Sequence, residues 1–523
     1  MSGLSEALAE TAWGVLRRAD AAMNRLYGWR YNPLYQSGAL TLVLLAVVTV
    51  TGLYLLIFYR IGEPYESVAR ITDQAWAGRW IRSLHRYASD AAVVAIAVHA
   101  FRMFAQRRSW GARTLAWVSG VVLLGIVLVL GWTGYVMVWD VQAHALAVEG
   151  ARLLDALPIF SEPLVRTFAA GEPPSGQFFF LNLFLHIAVP IGLGLALWIH
   201  VSRLARPVLV PPRRLWVAVV GALVAVSVLW PISMAAQADP LRLPREIPID
   251  LFYSFWLPAA RALPAWATWA IGAAATAILL AVPLWARPAR QRRGAASSVD
   301  ERLCTGCVQC SLDCPYEAIE MLERSDGRAE LVARVEPARC TSCGICAGSC
   351  APMGVGPPER TGRDQLRRIR EGLGSEEGPA AGEVVVVACG RGLGAGIESI
   401  DGAPVHRVSC AGTVHTSVVE HLLRADARGV LVLACPPRDC WNREGPRWTE
   451  QRLFHDREAE LHDRVEKRRV RFAFIAGGDL RTARVELGAF RTALASLERG
   501  EPLAGVDAVR ECDPAEPKEV IRS

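Results

Sequence analysis

Eight cysteines fall in two runs of identical spacing, Cys304, Cys307, Cys310 and Cys314, then Cys340, Cys343, Cys346 and Cys350. Three thiolates at three-residue intervals can wrap one corner of an iron-sulfur cubane, while the fourth of each run is best placed to ligate the other cluster. That gives one [4Fe-4S] cluster on Cys304, Cys307, Cys310 and Cys350, and another on Cys340, Cys343, Cys346 and Cys314. Zinc is the competing reading for paired C-x-x-C motifs, and eight cysteines in two such runs argue against it. All thirteen cysteines lie at or after Cys304. Grouped in this way they read as metal ligands rather than a disulfide scaffold.

Four histidines carry a second pattern. His85 and His99 lie fourteen residues apart in one apolar stretch, and so do His186 and His200 in another. Fourteen helical residues return to within about 40° of the starting direction and rise ~21 Å, so each helix presents two imidazoles on one face near opposite membrane surfaces. Polar groups in a span are costly and mark function by default. An interhelical hydrogen bond would explain any one of them, but not an interval shared by two helices. His85 with His186, and His99 with His200, can each ligate one haem iron axially. Gly38 and Gly52, then Gly120 and Gly134, repeat the interval in two further stretches. Glycine lets a flat macrocycle lie against a helix, whereas small-residue packing does not predict the matching interval. His144, His406, His415, His421, His455 and His462 lack metal spacing and read as structural.

Such residues need helices that cross a bilayer. The 523 residues, 52% of them apolar, are too many for one compact core. Six stretches reach the ~20 mainly apolar residues that a span requires. They lie near 39–58, 83–104, 115–138, 178–203, 215–235 and 262–286. With both termini cytoplasmic, the inner loops contain Arg102, Arg107, Arg108 and Arg113, then Arg203, Arg206, Arg213 and Arg214, then Arg287, Arg290, Arg292 and Arg293. The outer loops mix signs through Glu63, Glu66, Asp73, Glu149, Asp155, Glu162, Glu172, Asp239, Glu246 and Asp250. The positive-inside rule then puts everything after about residue 290 in the cytoplasm of a prokaryotic inner membrane. Residues 4–26 place Leu4, Leu8, Trp13, Leu16, Met23 and Leu26 roughly on one side, as an interfacial helix would. The net charge of +6 is almost wholly arginine and gives no sign of nucleic-acid binding.

Beyond a polar linker near 353–382, strands at Val384–Val387, Val405–Val408, Val430–Leu433 and Val470–Ile475 alternate with helices near 414–424, 448–468 and 481–498. Cys389, Cys410 and Cys435 each follow a strand and Cys440 comes five residues later, so they gather where open parallel sheets bind ligands. Four sulfurs in one crevice suit iron-sulfur or zinc. Cys512 reads as a free thiol in a charged tail. A nicotinamide site is not visible, because Gly390, Gly392 and Gly394 have the wrong spacing for a dinucleotide fingerprint.

Three resemblances follow from these residues. Tyr-Gln-Ser-Gly at 35–38, Trp-Ile-Arg-Ser-Leu-His-Arg at 80–86, Val-His-Ala-Phe-Arg at 98–102, Thr-Gly-Tyr at 133–135, Trp-Asp at 139–140 and His-Ile-Ala-Val-Pro at 186–190 resemble cytochrome b of bc complexes, especially the chloroplast type. This likeness implies that Arg82 and Arg86 pair with propionates of the outer haem, and Arg102 and Arg113 with those of the cytoplasmic haem. It also implies an outer quinol site, with Asp140 and Asp250 as its candidate residues. Gln36 stands where the chloroplast type has the cysteine that tethers an extra haem. Residues 304–350 are similar to bacterial two-cluster ferredoxins. Ala-Cys-Gly at 388–390, Ser-Cys-Ala-Gly at 409–412 and Ala-Cys-Pro-Pro-Arg-Asp-Cys at 434–440 resemble the delta subunit of methyl-viologen-reducing hydrogenase. That family implies a [2Fe-2S] centre and docking to flavoprotein or hydrogenase subunits, and Gly390–Gly392 replaces a cysteine near its first ligand.

The expected architecture is an all-α six-helix transmembrane cytochrome b bundle, then a two-cluster ferredoxin domain and a small α/β parallel-sheet domain. The boundaries are 1–37 for the interfacial segment, 38–205 for the dihaem core and 206–290 for two further spans. They continue with 291–355 for the ferredoxin part, 356–382 for the linker, 383–500 for the α/β part and 501–523 for the tail. The expected function is a quinone-linked oxidoreductase subunit with two haem b, two [4Fe-4S] and one [2Fe-2S]. It would move electrons between the quinone pool and a cytoplasmic flavoprotein, hydrogenase or dehydrogenase subunit. The alternative is the core of a quinol:cytochrome c complex with a Rieske protein and cytochrome c outside. A module that merely anchors partners is a third reading.

Overall fold

A computed structural model describes residues 2–159, 163–168, 174–202, 206–241, 250–286, 294–328, 330–372, 382–394, 396–455 and 457–500. Expectations resting on Arg203, Arg287, Arg290, Arg292, Arg293, Glu162, Glu172, Glu246, Pro248, Ile249, Cys512 and the tail lie outside those residues. The chain divides into two compact units, one of residues 1–13 with 36–289 and the other of 14–35 with 290–523.

The first unit is helical. After α1 (Ser2–Tyr27), which both units share, come α2 (Ser37–Phe58), α3 (Pro64–Asp73), α4 (Gly78–Ala105) and α5 (Thr114–Val136). They are followed by α6 (Val141–Asp155), α7 (Gly176–Ser202), α8 (Arg213–Leu229), α9 (Leu257–Ala262) and α10 (Ala265–Trp285). Among the described residues, five helices are long and apolar enough to cross a membrane: α2, α4, α5, α7 and α10. The fifth expected span, 215–235, is instead the 17-residue α8. Trp230 precedes Pro231, and the residue before a proline is driven out of helical geometry, so the helix stops at Leu229.

Two short helices stand in what the sequence suggests are loops. Pro64 opens α3 at the position where a missing N–H costs nothing. Asp140 opens α6 by accepting from the backbone N–H of Gln142 at 3.1 Å and Ala143 at 2.9 Å. Val141 N–H donates to the Ala236 carbonyl, and Ala238 N–H to that of Trp139. Those bonds tie the start of α6 to the chain leaving α8.

In the second unit, β1 (Ser298–Val299) pairs antiparallel with β4 (Val355–Gly356), and β2 (Ile319–Leu322) with β3 (Val332–Val335). Two short helices, α11 (Gln309–Leu312) and α12 (Ile345–Ser349), each follow the second cysteine of a run. Each is entered through a left-handed residue, Val308 at φ 58° and Gly344 at φ 83°. Such a φ is a genuine outlier for a β-branched residue, and strain of this kind collects at ligand-binding loops.

The segment expected as a linker contains α13 (Gly362–Gly372), whose Ile369 is buried in the sheet core. Beyond it the strands are β5 (Val384–Cys389), β6 (Ser399–Ile400), β7 (Ala403–Val408), β8 (Gly429–Ala434) and β9 (Val470–Phe474). They form one sheet in the order β6-β7-β5-β8-β9, parallel except for β6. Helices α14 (Thr416–Arg424) and α15 (Gly445–Phe454) lie on one face, and α16 (Leu480–Glu498) covers the other. Val385, Val387, Val430 and Val432 face the first side, while Val384, Val386, Leu431 and Leu433 face α16. Burial on both faces explains why these strands read as unbroken apolar runs. The helix expected over 448–468 ends at Phe454. The Trp29 ring packs on Phe474 of β9 at 4.6 Å, so the segment after α1 joins this unit rather than standing apart.

Candidate functional site

In the first unit α2 packs antiparallel on α4, and α5 on α7. At each of the four histidines a glycine of the partner helix makes room for the ring. A Cβ on Gly38 would sit 2.9 Å from His99 Nδ1, and one on Gly52 3.1 Å from His85 Cε1. On Gly134 it would sit 3.0 Å from His186 Cε1, and on Gly120 3.4 Å from His200 Cε1. The glycines repeat the histidine interval because they seat the imidazoles themselves.

Three rings are also held by hydroxyls. Thr51 Oγ1 lies 3.0 Å from His85 Nδ1, Thr133 Oγ1 3.0 Å from His186 Nδ1, and Ser119 Oγ 2.8 Å from His200 Nδ1. Each hydroxyl already donates to a carbonyl of its own helix: Val47 for Thr51, Leu130 for Thr133 and Ala116 for Ser119. The imidazole Nδ1–H is therefore the donor in each pair, and the lone pair is left on Nε2, the tautomer a metal ligand needs. His85 lies within electrostatic reach of His186, and His99 of His200. These two pairs could each hold one haem iron.

The arginines divide. Arg102 is buried, and both it and Arg108 lie near His99. Arg113 stands at the N-cap of α5. Arg82 donates to the Ile232 carbonyl at 3.0 Å. Arg86, which the resemblance places beside a propionate, pairs with Asp90 at 3.0 Å and with Asp250. Tyr135 Oη donates to that same Asp250 carboxylate, and the guanidinium lies 4.4 Å from the Tyr135 ring centre. Asp250 is therefore a buried partner of a spanning arginine rather than an ordinary loop carboxylate. Asp140, the other candidate, is occupied as a helix cap.

His144, read from the sequence as structural, lies 2% exposed on α6 with no hydrogen-bond partner at Nδ1. Its ring stands 5.5 Å from Trp139 and 6.4 Å from Phe168, and Phe178 and Phe179 pack on Trp139. The signal was the aromatic density around the Trp-Asp pair.

In the second unit the eight cysteines of the runs sort across the repeat. Cys310 feels Cys350, Cys307 and Cys304, while Cys343 feels Cys314 and Cys340, and Cys346 feels Cys343, Cys310 and Cys314. Each fourth cysteine thus sits with the first three of the other run. An apolar cavity bounded by Cys304, Cys307, Cys310, Cys350, Met321 and Val355 occupies the first group. Burial pushes the Cys310 and Cys343 thiols up to about 12, and cations bound among the sulfurs would offset that cost of forming thiolates. Backbone N–H groups point at several of the eight sulfurs, among them Ala318 to Cys314 Sγ at 3.3 Å, Gly354 to Cys350 Sγ at 3.2 Å and Ser297 to Cys340 Sγ at 3.4 Å. The two groups fit polynuclear iron-sulfur clusters.

Cys389, Cys410 and Cys435 stand at the carboxyl ends of three adjacent strands, with β5 between β7 and β8, where the chain order reverses. Hydrogen bonds from the Cys410 and Cys435 thiols, then backbone N–H of Arg391 and Gly392, hold Cys389 well below the usual thiol range. Cys410 is pushed up by its contacts with Cys389 and Cys440. A Cβ on Gly392 would sit 2.7 Å from Cys435 Sγ, so the glycine that replaces a cysteine here leaves space for this sulfur. Among the described residues no three histidine, cysteine or acidic side chains converge as a single ion would require.

Seated imidazole pairs in spanning helices and grouped thiolates behind them define an electron-transfer protein of the membrane. Residues 24–207 match cytochrome b/b6/petB, 303–354 the 4Fe-4S dicluster domain, and 395–498 the delta subunit of methyl-viologen-reducing hydrogenase. The chain belongs to the cytochrome b/b6 family, with the other two domains fused behind it. It is 30% identical to cytochrome b6 of Synechococcus sp. (strain JA-3-3Ab), over 29% of this chain and 72% of that protein. It is 26% identical to the menaquinol:cytochrome c reductase cytochrome b subunit of Geobacillus thermodenitrificans, over 32% of this chain and 79% of that one. A chain of a hyperthermophilic respiratory Complex III is similar at 17% identity and a TM-score of 0.38, covering 48% of this chain and 75% of that one.

Proposed function

We propose that this chain is the membrane subunit of a quinone-linked oxidoreductase, carrying electrons between the quinone pool and a cytoplasmic redox partner. His85 with His186 and His99 with His200 hold two b haems. The two crossed cysteine groups hold two [4Fe-4S] clusters, and Cys389, Cys410, Cys435 and Cys440 hold a [2Fe-2S] centre. Bound there, these groups supply one-electron chemistry. The protein fixes the tautomer of three imidazoles through Thr51, Thr133 and Ser119, and shields the sulfurs in apolar cores. The observation that carries the reading is the presence, in one chain, of crossed cysteine groups and paired, glycine-seated imidazoles.

An optical and EPR redox titration of the purified protein tests it. Two b haems and two cubane signals are expected, and fewer than two haems or no cubane would overturn it. The alternative, a quinol:cytochrome c core, draws support from the menaquinol:cytochrome c reductase relatives. Asp250 with Arg86 and Tyr135, and His144 beside Trp139, are the residues on which an outer quinol site would rest. A Rieske protein and a cytochrome c in the purified complex would favour the alternative, and a flavoprotein would favour the first reading.

The glycine seats give a separate expectation. In Gly134→Val the added methyl groups enter the space of the His186 ring, and overpacking of this kind costs ~1–3 kcal/mol. Haem per chain, read as the pyridine haemochrome, should fall below two toward one. An unchanged ratio would count against His186 as a ligand.

A further inference from the structure

The two cysteine-bearing parts of the second unit meet at a buried carboxylate, Asp313, that pairs with both Arg452 and Arg457. Arg452 on α15 and Asp313 beside Cys314 are both fully buried, with their closest N–O approach at 3.4 Å. Arg452 also donates to Ser349 Oγ at 3.0 Å, next to Cys350, and to the Gly412 carbonyl at 3.0 Å, two residues beyond Cys410. Thr449 Oγ1 accepts from Arg452 at 2.8 Å and donates to the Ala411 carbonyl at 2.9 Å. One side chain therefore touches the neighbours of ligands from all three cysteine groups.

Two other observations converge on this contact. The two parts approach closely across it: a Cβ on Gly348 would lie 3.0 Å from the Thr413 carbonyl carbon, and one on Gly445 2.7 Å from Ile345 Cδ1. His415 bridges it as well. Its Nδ1 accepts from Ser417 N–H at 3.1 Å, so Nε2–H is the donor to the Cys350 carbonyl, 3.1 Å away. Nothing in an independent ferredoxin fold or an independent parallel sheet requires either feature. A fully buried ion pair is also a poor device for stability alone, because desolvation offsets much of its attraction.

We propose that Arg452 is a positioning residue for electron transfer. Clamped on Asp313 and Ser349 on one side and on the Gly412 carbonyl on the other, it keeps the ends of both cysteine runs against the Cys410 turn. The inference rests on the assignment of clusters under Proposed function. In the transfer, one electron leaves a reduced cubane held by Cys304, Cys307, Cys310 and Cys350 and enters the oxidised centre at Cys389, Cys410, Cys435 and Cys440. No bond forms or breaks and no proton is required. A quinol or a cytoplasmic one-electron donor supplies the electron.

The test uses the full-length protein reduced with dithionite, with EPR reading the spin coupling between neighbouring centres. Amide exchange reads the 411–414 turn. The wild type should give cubane and third-centre signals broadened by each other. Arg452→Met with unchanged iron content should give narrowed, independent signals, and exchange at Gly412 and Thr413 faster by on the order of 10-fold. Unchanged coupling and exchange in that variant would overturn the proposal. Should Arg452→Met fail to bind iron, Thr449→Val decides, since it removes only the brace between Arg452 and Ala411. Partial narrowing supports the proposal and an unaltered spectrum overturns it. A wild type without any third-centre signal would instead overturn the functional reading of the four cysteines, and this inference with it.

Discussion

Replacing His186 by leucine should leave a protein with one b haem per chain in place of two. A neutral imidazole presenting Nε2 has no equivalent in leucine, and six-coordinate haem needs both axial nitrogens. His186 is well defined for this role, with Thr133 Oγ1 at 3.0 Å from Nδ1 and Gly134 making room for the ring. Pyridine haemochrome quantification and the amplitude of the reduced α-band check the result. His85→Leu should remove the same haem, whereas His99→Leu and His200→Leu should both remove the other. Retention of two haems in His186→Leu would refute the pairing. Thr133→Val leaves the ligand in place and loses only its orientation, so haem affinity should weaken by about 10- to 100-fold.

The second large effect concerns the crossing of the cysteine runs. Cys350→Ala should produce the same loss as Cys304→Ala, although the two residues are 46 positions apart. Both remove a ligand from one cubane, so about four irons should be lost per chain while the other cubane signal persists. Cys314→Ala should instead match Cys340→Ala. The double variant Cys304→Ala with Cys350→Ala should be no worse than either single change, as expected for residues that act on one group. Iron analysis and low-temperature EPR of the five variants check this. Grouping by run rather than across runs would refute it. Folding of this segment is tied to its metal, so the variants should also show increased protease sensitivity over 294–356.

How much of this was legible in the sequence follows from the range of each interaction. The histidine and glycine interval is a local helical period, and it pointed to helices that the structure has. The valine-rich strands were visible because burial on both faces leaves no polar residue to break them. The fifth expected span was overread, since the apolar stretch runs through Pro231 although the helix cannot. The helix α13 was missed because arginine dominates it and only Ile369 and Leu366 face the core. Least visible were pairs made across long loops. Arg452 and Asp313 are separated by 139 residues, and no periodicity connects them. Arg86 meets Asp250, 164 positions away, only through the packing of several helices.

The contacts that seat the imidazoles lie inside two helical hairpins, α2 with α4 and α5 with α7. Gly38, Gly52 and Thr51 serve the first, and Gly120, Gly134, Ser119 and Thr133 the second. The partners expected on a common iron, by contrast, come one from each hairpin. Each half of the bundle can therefore prepare its own two rings before the halves close on the porphyrins. On the proposed pairing, cofactor capture would be the act of joining, with each iron a rivet between two prefabricated plates. On this view a newly made chain inserts its hairpins in order and acquires its final shape only when both rivets are set.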